Sequence, residues 1–567
     1  VGSLREYWRL AGGGKSLAQM VGARPVAFDT TDPAERRFRQ VVEEMAIASG
    51  TPVPALYVMD REPGINAFVA GLGLDDTVMV ITGGALRNFT RDELQAVVGH
   101  EFSHILNADM RLNLRLMMWL GGILALGQLG SFMMRVSGHV RGSDERRGGI
   151  IYLIVAGFMI WLIGYIGLFF GRLIKAAISR QREFLADASS VQFTRNPDGL
   201  AAALSRIQAQ TNGSWLRNLH AEDMSHLCFG ETLRFSRLLA THPPLEERIA
   251  ALGPQYVLRA RTRRRELRDA AETAGMRVPD AEPAPSDVPA EKPPLEFVAG
   301  AATAMAVPVL MAQVGAVNPA QLACARTLYQ RLPARVSRAM QTCRGAEAVL
   351  YAMLARHGAH GRDKLATFLA SRRPEMQEDA CQLYDALDGF ELQFALPLTE
   401  LAMPRLQALA PEAQRKLLEH LQAFARLDGR LSTFEFALLM LLRKQLHLLP
   451  AARPLQLADC LPAVSQLVAI LLRAGGHHGE DLARLHARLL RTLTPTPQPL
   501  PAGDGLRFSR LAVEVGRLAG LPLRDKRLVL ELAATAVLAD ARVALEEYEL
   551  LRVVAALLDC PMPVLTP

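Results

Sequence analysis

Residues 97–110, VVGHEFSHILNADM, set His100, Glu101 and His104 in an otherwise largely apolar run. On a helix, positions four apart share a face, so both imidazoles can direct a ring nitrogen at one Zn²⁺. Glu101, one position further round, can reach a water on that ion. Zinc lowers the water's pKa, and the carboxylate takes its proton as the oxygen attacks a carbonyl carbon. The same glutamate can give the proton back to the leaving amine, which completes hydrolysis of a peptide bond. The competing reading is a core helix with two incidental histidines.

A catalytic zinc takes three protein ligands and keeps one position open. The continuation that would supply a third histidine is absent, since Asn107 and Met110 stand where Gly and His would be. Further along, SRQREFLADASSVQF places Glu183 and Asp187 four apart on an expected helix. Glu183 can complete a His₂Glu set, and Asp187 can accept the second ring N–H of a ligating histidine.

These residues need elements to hold them. In TRDELQAVVGHEFSHILNADM, Thr90 followed by Glu93 fits a capping box, which starts the helix that carries the motif. Before it, TPVPALYVMD, NAFVAGL and TVMVITGGAL read as short strands broken by Gly, Pro and Asp. Between the motif and Glu183 lie two uncharged runs, residues 116–134 and 150–170, each close to the roughly 20 residues that cross a bilayer. They predict transmembrane helices over about 114–135 and 149–171. The loop between them holds four Arg and two acidic residues, against Arg111, Arg115, Arg172, Lys175, Arg180 and Arg182 on the other flanks. That balance puts His100 and Glu183 on the cytoplasmic side.

The chain has 567 residues, half of them hydrophobic but only 6% aromatic, which implies several structural units and mostly helix. A net charge of +7 is scattered rather than gathered into a stripe, so a membrane explains it and nucleic acid does not. Six cysteines, widely spaced and without a C-x-x-C pair, read as reduced thiols. The chain opens at Val1, without Met and without a signal-peptide core, and we expect residues to be missing before it.

The organisation expected is a juxtamembrane segment (1–34), a catalytic domain (35–253), a charged and then Pro/Ala-rich linker (254–296), and a helical domain (297–567). Within the last, KLLEHLQAFARLDGRLSTFEFALL (416–439) aligns without gaps on LVLELAATAVLADARVALEEYELL (528–551), a repeat covering about 416–450 and 528–562. Asp428, Arg430 and Glu435 pair with Asp540, Arg542 and Glu547. Asp428 lacks the spaced oxygen ligands of a calcium loop and reads as a helix cap.

NAFVAG, TRDELQAVVGHEFSHILNAD, SRQREFLADA and THPPLEERI, in this order and with two spans between the second and third, resemble the HtpX-type membrane zinc metallopeptidases, relatives of the CAAX-prenyl-processing endopeptidases. The resemblance covers about residues 35–252. It implies a mainly α, zincin-like (gluzincin) catalytic domain with a small β-sheet, two inserted transmembrane helices and, in this chain, an added all-α C-terminal domain. It implies one Zn²⁺ on His100, His104 and Glu183, with Glu101 as general base and Asp187 behind the ligands. Asn66, Ala67 and Phe68 match an edge segment that pairs with extended substrate. His242 matches a histidine that stabilises the oxyanion, and Arg248 an arginine that supports that site; His220 and His226 compete with His242 for such a role. The resemblance further implies cleavage of misfolded or surplus membrane proteins at the cytoplasmic membrane. The family commonly has membrane helices before this domain and ends soon after HPP, so the 300-residue extension is a departure. The repeated C-terminal segments resemble TerB-like modules of stress-associated proteins, or a helical domain that binds a protein partner. The rival function is a membrane-anchored adaptor with a vestigial zinc site, which would have no need of Glu101.

Overall fold

The computed structural model describes residues 13–139, 147–210, 213–214, 228–230, 242–262, 303–304, 307–358, 360–429, 431–449, 454–494, 496, 498–501, 515–539 and 542–563. The chain divides into two compact units, residues 1–42 with 54–281 and residues 43–53 with 282–567.

In the first unit, helix α1 (Gly13–Met20) and strand β1 (Arg24–Pro25) precede the long helix α2 (Pro33–Ser49). Within the segment read as juxtamembrane (1–34), residues 13–25 pack on the sheet: Leu17, Ala18, Val21 and Ala23 share a core with Tyr57, Phe68, Val78 and Val80. Strands β2 (Ala55–Met59), β3 (Ala67–Ala70) and β4 (Val78–Thr82) complete a sheet in the order β1-β2-β4-β3. β2 and β4 are parallel and the outer pairs antiparallel, which leaves β3 as an edge. All residues of β3 and β4 are buried, in keeping with their unbroken apolar sequence.

The GGAL end of the third expected strand is helical. Thr82 caps helix α3 (Gly83–Asn88) by accepting the Ala85 N–H at 3.2 Å. A Cβ on Gly84 would lie 2.2 Å from the Pro63 carbonyl oxygen, so this turn admits only glycine. Helix α4 (Arg91–Leu106) then starts at the expected capping box: Glu93 Oε2 accepts the Thr90 N–H at 2.9 Å, and Thr90 Oγ1 accepts the Glu93 N–H at 3.3 Å. Twelve of its sixteen residues are buried, so α4 is the central helix of the unit.

Two long helices follow, α5 (Asp109–His139) and α6 (Arg147–Thr194). They pack through glycines. A Cβ on Gly130 would meet the Trp161 nitrogen at 2.4 Å, and one on Gly164 the Gly127 nitrogen at 2.5 Å, so the two backbones touch. Their outward residues, among them Trp119, Phe132, Tyr152, Ile163 and Phe170, are exposed, as suits a lipid-covered surface. Helix α6 runs unbroken through the apolar stretch to the segment with Glu183 and Asp187. Helices α7 (Pro197–Ala209) and α8 (Leu245–Leu252) close the unit, and the chain is still helical over 254–262, where a linker was expected.

Among its described residues the second unit is helical, with one short antiparallel pairing of Thr303–Ala304 and Arg542–Val543 that the all-α expectation did not include. Two helix pairs stand out: Pro411–Ala425 with Thr433–Gln445, and Leu523–Val537 with Leu545–Leu557. All four boundaries repeat at the 112-residue spacing of the sequence repeat. Asp540 and Arg430 lie outside the described residues. Residues 457–474 are also long and apolar enough to cross a membrane, but 61% of that stretch is buried inside the unit, which makes it a core helix. No disulfide joins the six cysteines.

Candidate metal centre

Helix α4 presents His100 and His104 one turn apart, and α6 brings Glu183 to them. The His100 and His104 Nε2 atoms are 3.2 Å apart; Glu183 Oε2 lies 3.6 Å from the first and Oε1 3.5 Å from the second. One donor atom from each residue falls within 4.8 Å of the other two.

The surroundings decide what these atoms are. His100 Nδ1 donates to Asp187 Oδ1 at 3.0 Å, and His104 Nδ1 donates to Asp109 Oδ2 at 2.9 Å. With the ring protons held there, both Nε2 atoms carry lone pairs, and two lone pairs beside a carboxylate repel unless a cation lies between them. Imidazole nitrogens about 2.0–2.1 Å from one tetrahedral ion would be roughly 3.3 Å apart, close to the observed separation. The donor set fits a metal ion. Burial also pushes the His100 imidazole down to about 4, so it is neutral, the form that ligates.

Glu101 is fully buried next to this point, and neither carboxylate oxygen has a partner at hydrogen-bonding geometry among the described residues. Burial pushes its carboxyl up to about 8, the Glu183 carboxylate adds to the rise, and His104, Arg248 and the Val69 N–H of β3 oppose it. A cation at the ligand atoms would draw that value down and leave an ionised base.

Asp187 is itself held by Arg248, which is fully buried and donates to Asp187 Oδ2 at 2.8 Å, to Oδ1 at 2.6 Å, and to the Phe229 carbonyl at 2.6 Å. The arginine therefore lies beneath the ligands and braces Asp187. His242 brings Nδ1 to 3.0 Å from Glu183 Oε2. Of the ligand side chains, His100 and Glu183 are closed off, while His104 keeps 13% exposure and marks the open side. His220 and His226 lie outside the described residues.

Asn66 is buried, and its amide serves its own chain: Nδ2 donates to the Ser214 and Gly230 carbonyls, and Oδ1 accepts from Ala67 and Gly230. The Phe68 ring is in the sheet core, and its backbone forms an isolated bridge with Cys228 on the outer edge of β3. The Ala67 carbonyl accepts the Phe229 N–H at 2.7 Å. The Phe229 ring stands edge-on to His100 at 4.8 Å, with the Arg248 guanidinium 4.6 Å over its face. Sequence reasoning missed Phe229 and Asp109. Nothing local marks Phe229, but Asp109 lies only five residues beyond His104.

Comparison with known proteins meets this geometry from another direction. Peptidase family M48 matches residues 33–254. A protein named Protease HtpX homolog from Dictyoglomus turgidum is 38% identical over 212 residues, covering 37% of this chain and 67% of that one. Its namesake from Streptococcus uberis is 35% identical over 246 residues (42% and 79%), and that from Bacteroides fragilis 30% over 239 (41% and 71%). No solved structure matches. The chain belongs to peptidase family M48. It is a metalloprotease of the HtpX type, acting on polypeptides, and its HtpX relatives together with the long, exposed apolar helix α6 mark it as a membrane protein.

Proposed function

We propose that this chain is a zinc-dependent endopeptidase, with His100, His104 and Glu183 as ligands and Glu101 as general base. The observation that carries the reading is the meeting of two lone-pair imidazoles and a carboxylate beside a buried, unpartnered Glu101. A bound zinc would supply Lewis-acid polarisation and a nucleophilic water at neutral pH. Glu101 takes the proton of the attacking water on a carboxylate oxygen and delivers it to the leaving nitrogen. Asp187, braced by Arg248, keeps the His100 proton on Nδ1. His242, whose Nδ1 lies 3.0 Å from Glu183 Oε2, is read as the donor to a developing oxyanion. Substrate is read as an extended segment that takes the place of residues 228–229 on the outer edge of β3, where Ala67 and Phe68 bond to them here, with Asn66 securing that edge from within. Arg248 supports the site through Asp187 and through its own ion pair with Glu183 at 3.5 Å.

The proposed setting is multi-pass in the cytoplasmic membrane, with the site on the cytoplasmic side and misfolded or surplus membrane proteins as substrates. The basic flanks of the apolar helices support this. So does α6, where exposed Phe170, Ile174, Ile178 and Leu185 carry one apolar face onward from the span to the neighbourhood of Glu183. Thirteen residues separate Phe170 from Glu183, about 20 Å along a helix, so cleavage would take place close to the bilayer. The second unit is read as a duplicated, TerB-like helical module that binds a protein partner, a reading supported by its repeated helix boundaries.

The test is metal analysis of the purified full chain together with cleavage of an unfolded membrane protein. We expect one zinc per chain, and cleavage that a chelator abolishes and added zinc restores. Cleavage by metal-free chain would overturn the reading.

A further inference from the structure

The two ligand histidines are held in parallel ways. His100 donates to Asp187, and Asp187 is paired with Arg248. His104 donates to Asp109, and the other oxygen of Asp109 is paired with Arg182. The contact of Asp187 with a ligand histidine was expected from the sequence; its pairing with Arg248 and the whole second arrangement come from the structure.

Asp109 could not reach His104 on a continuous helix. A residue five positions on lies about 140° round the axis, away from the ligand face. The chain leaves the helix instead: α4 ends at Leu106, Ala108 adopts φ 55°, and α5 begins at Asp109. A non-glycine residue in the left-handed region is held there by its surroundings, and such residues gather at functional sites. The turn returns a carboxylate, its side chain only 3% exposed, to the ring nitrogen of His104. Arg182, its partner, directly precedes Glu183 on α6. Asp109 therefore links one ligand, the head of the first membrane helix, and the element that carries the third ligand.

We propose that Asp109, braced by Arg182, is a positioning residue that keeps the His104 proton on Nδ1 and couples metal affinity to the packing of α5 against α6. The proposal rests on His104 being a metal ligand. Without a carboxylate at Nδ1 the ring can rotate and exchange tautomers, and the donor strength of Nε2 falls.

The test uses the full chain in detergent, loaded with zinc or with Co²⁺, and compares wild type with Asp109→Asn and Arg182→Gln. Zinc affinity is read by competition with a chromophoric chelator, the ligand field by the visible absorption of the Co²⁺ form, and folding by circular dichroism. Asp109→Asn should weaken zinc binding by roughly 10–100-fold and alter the Co²⁺ spectrum, with helical content retained. Arg182→Gln should weaken it by a smaller factor, about 3–10-fold. Should Asp109→Asn fail to fold, Arg182→Gln decides: weakened binding at unchanged helicity supports the proposal, and wild-type affinity overturns it. A folded Asp109→Asn chain with wild-type affinity and spectrum also overturns it. Wild type that binds no zinc defeats the metal reading itself, a different outcome from a variant that binds as wild type does.

Discussion

In the helical unit Arg552 lies against Glu400 at 3.0 Å, and Lys444 and Lys526 flank Asp559 at 2.8 and 3.1 Å. In the catalytic unit Arg248 and Asp187 are buried like Arg552 and Glu400, yet Asp187 also accepts from His100, whose other nitrogen faces His104 and Glu183. Among the described residues the first set directs no group of donors at a common point. The second ends on His100, His104 and Glu183, three donor groups directed at one point. Buried charge alone does not mark a site; chains of contacts that end on unshared lone pairs do.

Four experiments probe that contrast. The largest effect is expected from Glu183→Ala, which removes a terminal donor. Zinc content and cleavage should both fall to background, while urea unfolding of the second unit is unchanged. Next come two matched breaks, Arg248→Met and Arg552→Met, each leaving a buried carboxylate without its partner and each costing about 3–5 kcal/mol in urea titrations. Only Arg248→Met should also reduce zinc retention, and equal retention in both variants would remove the distinction between the units.

A smaller effect depends on pH. Burial pushes the Glu549 carboxyl up to about 8, and neither oxygen has a hydrogen-bond partner among the described residues. The folded chain holds it neutral where the unfolded chain, at the ordinary 4.5, ionises it. The stability it contributes is therefore full below about pH 4.5 and lost as pH rises through about 8. Glu549→Gln should match wild type near pH 4.5 and exceed it by roughly 1–3 kcal/mol at pH 8.5 in denaturant titrations. The smallest effects belong to the caps: Thr90→Ala and Ser432→Ala should each cost about 1 kcal/mol, measured the same way.

How much was legible follows from how local each signal is. Thr90 and Glu93 announce the start of α4 because a capping box is a contact between residues three apart. His100, His104, Glu183 and Asp187 were visible because spacings of four translate directly into one helix face. Asp109 was not, since its contact with His104 depends on the φ of Ala108, which no residue type there betrays. Asn66 reads in sequence as a cleft residue, but its partners Ser214 and Gly230 are about 150 residues away, and only folding shows its amide turned inward. Residues 13–25 lack the alternation of a strand because β1 is two residues long, so their place in the sheet was hidden.

Glu101→Gln tests the central claim most directly, because it keeps the size and burial of the side chain and removes only its ability to take a proton. The account predicts one zinc per chain in both proteins, with cleavage of an unfolded membrane protein lowered by roughly 10²–10⁴-fold in the variant. Equal zinc and equal cleavage in the two would contradict it.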